Sequence, residues 1–259
     1  MIDVESLSFS YSGQPVLKDI SFHMDSGEFL SILGANGVGK STLFRCILGL
    51  LPGYTGRVSI DGTDTRSLPP REMAKLVAYI PQHTSSAYNF SVEEIVLMGA
   101  TAGMSAVRSP GKAERKKAEE AMEKIGIIDL KERCFHHLSG GQQQLAVLAR
   151  ALVQDARVLM MDEPTASLDF GNQMLVLTQV RSLSREGYTI IQTTHNPEHA
   201  YSFSDRILAL KDGRVYRSGA PGEVIVEEVI GELYGVDTKI SSLYGDRVRV
   251  CTPSVITEK

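Results

Sequence analysis

The sequence predicts an α/β fold, with buried parallel-type strands, a run of strands near the start and a helical portion inserted in the middle. Three observations predict it. A glycine-rich stretch, Gly34 to Ser41, lies between an apolar strand and a run of helical period. Val158 to Met161 is a four-residue apolar run, the pattern of a strand buried on both faces. From about residue 85 to 154 the pattern turns helical. A length of 259 residues suits one large α/β domain with an inserted or appended subdomain.

Taken in order, Val4, Leu7 and Phe9 mark a first strand that turns at Ser12-Gly13. A second run ends near Phe22, and Glu28 to Leu33 makes a third. Leu43, Phe44, Ile47, Leu48 and Leu51 then recur at helical spacing until Pro52. Arg57 to Ile60 and Leu76 to Ile80 read as strands. Ser91 followed by Glu94 is the capping-box spacing and opens a helix to Met98. Thr101 to Lys112 is rich in Gly, Ser and Pro and reads as a loop. Ala113 to Ile125 is a charged helix whose Glu114 to Glu120 run is a solvated face of mixed sign. Leu145, Leu148, Ala149 and Leu152 mark one face of the helix that follows Ser139. Asn172 to Glu186 is a helix and Thr189 to Thr193 a strand. A hairpin turns at Lys211-Asp212-Gly213. Glu223 to Leu233 reads as one final helix, and Lys239 to Val250 as a hairpin around Tyr244-Gly245-Asp246.

Composition excludes several classes. The net charge of −4 and pI of about 5.9 offer no strong basic field, so no nucleic acid partner is expected. Three cysteines with no CxxC spacing fit a reducing compartment. Met1 to Gly13 is acidic and alternating, unlike a secretory signal. No apolar run reaches the roughly 18 residues a spanning helix needs. Cys134, His136 and His137 sit close together on a short loop, where a structural role outweighs metal binding.

Gly34-Ala35-Asn36-Gly37-Val38-Gly39-Lys40-Ser41 matches GxxxxGK[ST] in the strand-to-helix context that gives the pattern its meaning. Glycines let the backbone wrap closely and turn N–H groups inward, and the helix start adds its positive dipole end. Lys40 is expected to reach β- and γ-phosphates, and the Ser41 hydroxyl to bind Mg²⁺. Val158 to Met161 ends in Asp162-Glu163, at the carboxyl end of a strand where ligands of open α/β sheets sit. Asp162 is placed to hold Mg²⁺, and Glu163 to polarise water as a general base. Adjacent strand residues point to opposite faces, but Pro164 ends the strand and lets both acids face one site.

With Leu138-Ser139-Gly140-Gly141-Gln142 added, the sequence resembles the ABC ATPase family, over about Met1 to Gly222. The resemblance implies a P-loop NTPase core of RecA-like type, with an antiparallel β subdomain and the helical insertion at about 85–154. It implies an ABC ATPase domain over 1–222 and a C-terminal extension over 223–259. It assigns Tyr11 to adenine stacking and Gly34 to Thr42 to the phosphate loop. Gln82 becomes a sensor of Mg²⁺ and water, Asp169 part of the D-loop, and His195 a contact of the γ-phosphate. Ser139, Gly140, Gly141 and Gln142 would face the ATP of a second copy in a head-to-tail homodimer. Ala35 and Val38 stand where many members carry Pro and Ala, and Leu145 where many carry Arg.

Pro81-Gln82 with the segments Val92 to Gly99 and Leu168 to Gln173 resemble the ATPase subunits of importers for iron-siderophore, haem, cobalamin and, in some relatives, an oxyanion such as molybdate or tungstate. That likeness implies ATP and Mg²⁺ as ligands, a membrane permease and an extracytoplasmic binding protein as partners, and a place on the cytoplasmic face of the membrane. An exporter ATPase, or a soluble ABC protein without a transport role, is the alternative. The apolar stripe Val92, Ile95 and Val96 suggests a groove from Gln82 to about Met104 for a permease helix.

Overall fold

The computed structural model describes residues 1–82, 89–103 and 110–254. In chain order its elements begin with β1 (Ile2–Tyr11), β2 (Gln14–Met24), β3 (Phe29–Leu33), α1 (Lys40–Ile47), β4 (Thr55–Ile60) and β5 (Thr63–Asp64). There follow α2 (Pro70–Leu76), β6 (Val77–Ile80), α3 (Val92–Leu97), α4 (Lys112–Ile125), α5 (Gly140–Val153), β7 (Val158–Asp162), α6 (Phe170–Arg185) and β8 (Thr189–Thr194). The last are α7 (Pro197–Phe203), β9 (Arg206–Lys211), β10 (Arg214–Gly219), α8 (Pro221–Val224), α9 (Glu227–Tyr234), β11 (Thr238–Leu243) and β12 (Val248–Pro253). The chain divides into two compact units, Met1–Ser67 with Thr189–Lys259, and Leu68–Tyr188.

In the first unit, β2, β1, β4 and β5 form an antiparallel sheet in that order. Alternation in β1 buries Ile2 and Val4, and after a bulge between Val4 and Leu7 it buries Leu7 and Phe9. β3 is different: all five of its residues are buried, and it runs parallel to both β8 and β9. That is the apolar signature of a central strand covered on both faces. β10 closes the edge antiparallel to β9. The C-terminal elements join the same core. Val224, Ile225, Val229, Ile230 and Leu233 pack with Leu33, Ala200, Ile207 and Ala209.

In the second unit, β6 and β7 pair in parallel, with Ile80 opposite Met161. α3, α4 and α5 pack together through Val92, Ile95, Val96, Ala118, Met122, Leu145 and Leu148, all buried. α3 carries the full capping box: the Glu94 amide donates to Ser91 Oγ, and the Ser91 amide to the Glu94 carboxylate. Such a cap is worth about 1 kcal/mol.

Four sequence expectations change. Met98–Gly103, at the start of the expected loop, is a 3₁₀ helix, set where Gly99 abuts α5 so closely that a Cβ would lie 2.1 Å from the Arg150 carbonyl oxygen. Residues 104–109 of that expectation fall outside the described residues, and Lys112, its last residue, already opens α4. The stripe Val92, Ile95, Val96 is interior, each residue at most 3% exposed, so it packs the unit and offers no docking face. Gln82 is described, but 83–88 of that proposed groove are not. The single helix expected over Glu223–Leu233 is two, because Ile225 and Val226 leave helical geometry between α8 and α9. Finally, α2 and α7 have no counterpart in the reading of the pattern. Each has seven residues with Pro at its first turn, too few for a period to show.

Candidate functional site

In the first unit, register places the phosphate-loop motif beside His195. Leu33 pairs with Thr194, and the Gly34 amide donates to the Thr194 carbonyl at 3.4 Å. The loop Gly34 to Gly39 and His195 therefore leave neighbouring parallel strands at their carboxyl ends, the position where ligands sit in open sheets. Gly37 has φ +83° and Gly39 φ +110°, both in the left-handed region that favours glycine. Gly39 is also closed to a side chain, since a Cβ there would meet Leu17 at 2.9 Å and Val16 at 3.2 Å. At Gly34 the limit is the Leu210 carbonyl oxygen, 2.7 Å from such a Cβ.

Lys40, the first residue of α1, is buried, and its ammonium donates to the carbonyls of Gly34 at 2.9 Å and Ala35 at 3.2 Å. Gly39 supplies no side-chain cap and no acid stands in the first turn of α1. The helix thus presents its first amides and positive end with no carboxylate from its own first turn. Asn36 is exposed, while Ala35, Val38, Ser41 and Thr42 are half-buried around the turn. This arrangement fits an anion of phosphate type. Tyr11, at the tip of β1, is 42% exposed and edge-on to Phe9 at 4.8 Å. His195 is exposed at its side chain, and its carbonyl accepts from the Tyr234 hydroxyl at 2.8 Å.

In the second unit, the β6–β7 pairing does the same for the other motifs. Ile80 opposite Met161 makes Pro81-Gln82 and Asp162-Glu163 emerge side by side. Asp162 is buried at 5% exposure and Glu163 is half-buried. β7 ends at Asp162, and Glu163 has φ +44°, a left-handed backbone unusual for glutamate. This twist at the strand end, completed by Pro164, frees the second acid from strand alternation. Glu163, Gln82 and Gly140 line one cavity of about 270 Å³ with Gln143, Gln144 and Ser167.

The signature segment opens α5. Ser139 and Gly140 are exposed, and Gly141 is buried. Ser139 Oγ accepts from the Gln142 amide at 3.3 Å, and Gln142 Oε1 accepts from the Ser139 amide at 3.1 Å, a complete capping box. Asp169 caps α6, accepting from the Asn172 amide at 2.9 Å and the Asn172 side chain at 2.8 Å. These bonds hold the Asp169 carboxyl below its ordinary pKa. Asn172 also fills the space over Gly141, where a Cβ would fall 2.0 Å from its Oδ1. The sequence reasoning missed this residue, although Asp169-x-x-Asn172 has the spacing of a helix start.

Within the second unit, Gln82 and Asp162 offer an amide oxygen and one carboxylate at neighbouring strand ends, hard oxygen donors of the kind Mg²⁺ takes while it keeps waters and phosphate ligands. Among the described residues no group of three or more His, Cys, Asp and Glu is arranged to hold a metal, and Cys134, His136 and His137 form no such group. No described helix is long and apolar enough to cross a membrane.

Comparison with known proteins agrees with this geometry. The family model described as ABC transporter matches residues 17–166, more than half of the chain. The hemin import ATP-binding protein HmuV of Rhizobium johnstonii is 34% identical over 254 residues, covering 95% of each chain. A solved metal-chelate type ABC transporter in an inward-facing conformation superposes with TM-score 0.86 at 27% identity, over 97% of this chain and 96% of its own. The dimeric structure of MJ0796, a bacterial ABC transporter cassette, gives TM-score 0.74 at 29% identity over 85% of this chain and 99% of its own. With a phosphate-type loop on one parallel strand end, paired acids on another and a capped signature helix, the chain belongs to the ABC transporter family as its ATP-binding component.

Proposed function

We propose that this chain is the ATP-hydrolysing subunit of an ABC importer for a metal chelate such as haem or an iron complex. It works as two copies on the cytoplasmic face of a membrane, beneath a permease fed by an extracytoplasmic binding protein. The observation that carries the reading is the contrast between two helix starts. α1 begins on glycines, with an uncapped, acid-free N-terminus and the buried Lys40. α5 begins with an exposed Ser139-Gly140. One is made to enclose phosphate within the chain, the other to offer amides outward.

Each residue then has a task. Gly34 to Thr42 wrap the phosphates, and the Lys40 ammonium exchanges its carbonyl partners for the β- and γ-oxygens. Ser41, Gln82 and Asp162 hold Mg²⁺, which when bound neutralises phosphate charge. Glu163 accepts a proton from the attacking water, and Gln82 helps hold that water. His195 orients the γ-phosphate, Tyr11 stacks on the adenine, and Asp169 fixes the loop between β7 and α6. Ser139, Gly140, Gly141 and Gln142 of the second copy close over the γ-phosphate. ATP thereby links two copies, and hydrolysis releases them, a population shift driven by ligand. The cargo reading is supported by the likeness to the hemin import ATP-binding protein HmuV and to the metal-chelate type transporter.

The test is kinetic. Lys40→Ala should lose ATP binding or turnover. Glu163→Gln should keep ATP binding while turnover falls by roughly two to four orders of magnitude, the scale of a lost general base. A native rate in Glu163→Gln would remove Glu163 from its role. Purification from native membranes should bring down a permease chain, and its absence would count against the importer reading.

A further inference from the structure

His195 sits on a short turn between β8 and α7, and that turn is held from two sides. On the upstream side, Thr194 Oγ1 accepts from the Asn196 amide at 3.0 Å. Asn196 in turn caps α7, its Oδ1 accepting from the amides of Glu198 at 2.9 Å and His199 at 3.0 Å. The other side comes from the last part of the chain. The Tyr234 hydroxyl, at the end of α9, donates to the His195 main-chain carbonyl at 2.8 Å.

α9 is itself fixed. Leu233, one residue before Tyr234, belongs to the apolar cluster that contains Leu33 and Ala200. Leu33 directly precedes the phosphate-loop motif, and Ala200 lies on α7. The β11–β12 hairpin grips α7 separately: the Cys251 amide donates to Glu198 Oε1 at 3.1 Å, and the Tyr201 hydroxyl to the Asp246 carbonyl at 2.5 Å. The C-terminal segment thus bonds the His195 turn through Tyr234 and supports its flanking helix through Asp246, Cys251 and the apolar cluster.

We propose that Tyr234 is a positioning residue for His195. Its hydroxyl fixes the peptide that follows the histidine, so the imidazole keeps one register relative to the Gly34 amide, which bonds the preceding Thr194 carbonyl. The C-terminal segment serves as the scaffold that delivers this hydroxyl. This rests on the reading of His195 as the γ-phosphate contact. A residue acting through one neutral hydrogen bond of about 1 kcal/mol changes a rate by about three- to tenfold.

The experiment compares Tyr234→Phe, Tyr201→Phe and His195→Ala in the full chain. It measures steady-state ATPase kinetics, thermal midpoint, and histidine ¹⁵N resonances without nucleotide, with His195→Ala assigning the His195 signals. Tyr234→Phe keeps the ring and its packing. The expected result is a kcat lowered about three- to tenfold, KM for ATP within about twofold, and displaced His195 resonances. Tyr201→Phe removes a hydroxyl bond from the same segment without touching His195, so it should keep native kcat and His195 resonances. If His195→Ala abolishes turnover but Tyr234→Phe leaves kcat and the His195 resonances native, the proposal is wrong and the reading of His195 survives. Equal losses of kcat and thermal midpoint in Tyr234→Phe and Tyr201→Phe would reduce Tyr234 to a structural contact and overturn it too. A native rate in His195→Ala would remove the reading of His195 and the proposal together.

Discussion

Glu163 holds a left-handed backbone, a glutamate at φ +44° between a buried aspartate and a proline. Strained backbone of this kind persists where the surroundings over-determine it. The sequence disclosed the acid pair and the strand end but not the twist, because sign of φ leaves no mark on a non-glycine residue. The same holds for Tyr234, whose partner lies 39 residues away. Titrating groups give two residue-scale predictions. Burial pushes the Cys46 thiol up to about 12 and the Cys251 thiol up to about 11. At pH 8 both should resist alkylation in the folded chain and react on denaturation; rapid labelling of Cys46 before unfolding would contradict this. Burial also holds His199 below its ordinary pKa of 6.5, with its Nδ1 lacking a hydrogen-bond partner among the described residues. The unfolded chain then takes this proton first, so His199 costs stability as pH falls below 6.5. His23, raised by its bonds to Asp3 and Asp25, acts in the opposite sense, contributing stability below 6.5 that is lost as pH rises through its folded value. The urea midpoint of His199→Gln should therefore fall less between pH 7.5 and 5.5 than that of the native chain; parallel curves would refute the assignment.

Elements were read best where a period or a cap had room to show. β1, β3, α3 and α4 carry clear alternation, continuous burial or capping residues, and their expected and observed positions agree closely. The apolar stripe of α3 shows the limit: its period marks a buried face, and only the fold says that α5 covers it. Short helices with proline starts, α2 and α7, were invisible for lack of a full period. Contact between the starts of α5 and α6 was equally hidden, since it depends on one absent Cβ. Gly141→Ala should clash with Asn172 and cost about 1–3 kcal/mol in chemical denaturation, the usual cost of overpacking. Asn172→Ala removes Oδ1 and Cγ, the two nearest atoms, but keeps the Cβ at 2.7 Å, so the double variant should recover only part of that loss. Strictly additive losses would show that the two residues do not share the contact.

For the molecule as a whole, the order of motifs along the chain was legible and their grouping by strand register was not. Parallel pairing of Leu33 with Thr194, and of Ile80 with Met161, turns four distant segments into two neighbouring pairs. Neither pairing can be read from local pattern, because apolar strands of four to six residues carry no register information of their own. The C-terminal segment was read as an extension, and its apolar residues prove to share a core with β3 and α7. The central claim concerns two molecules: triphosphate held by the loop at Lys40 of one copy and by the helix start at Ser139 of another. Sedimentation of Glu163→Gln with and without ATP tests it most directly. The variant should sediment at 28.3 kDa without nucleotide and at twice that mass with ATP and Mg²⁺, while Glu163→Gln combined with Ser139→Arg should stay at 28.3 kDa while still binding ATP. A Glu163→Gln chain that binds ATP yet remains single, or a doubly substituted chain that pairs as tightly, would contradict the account.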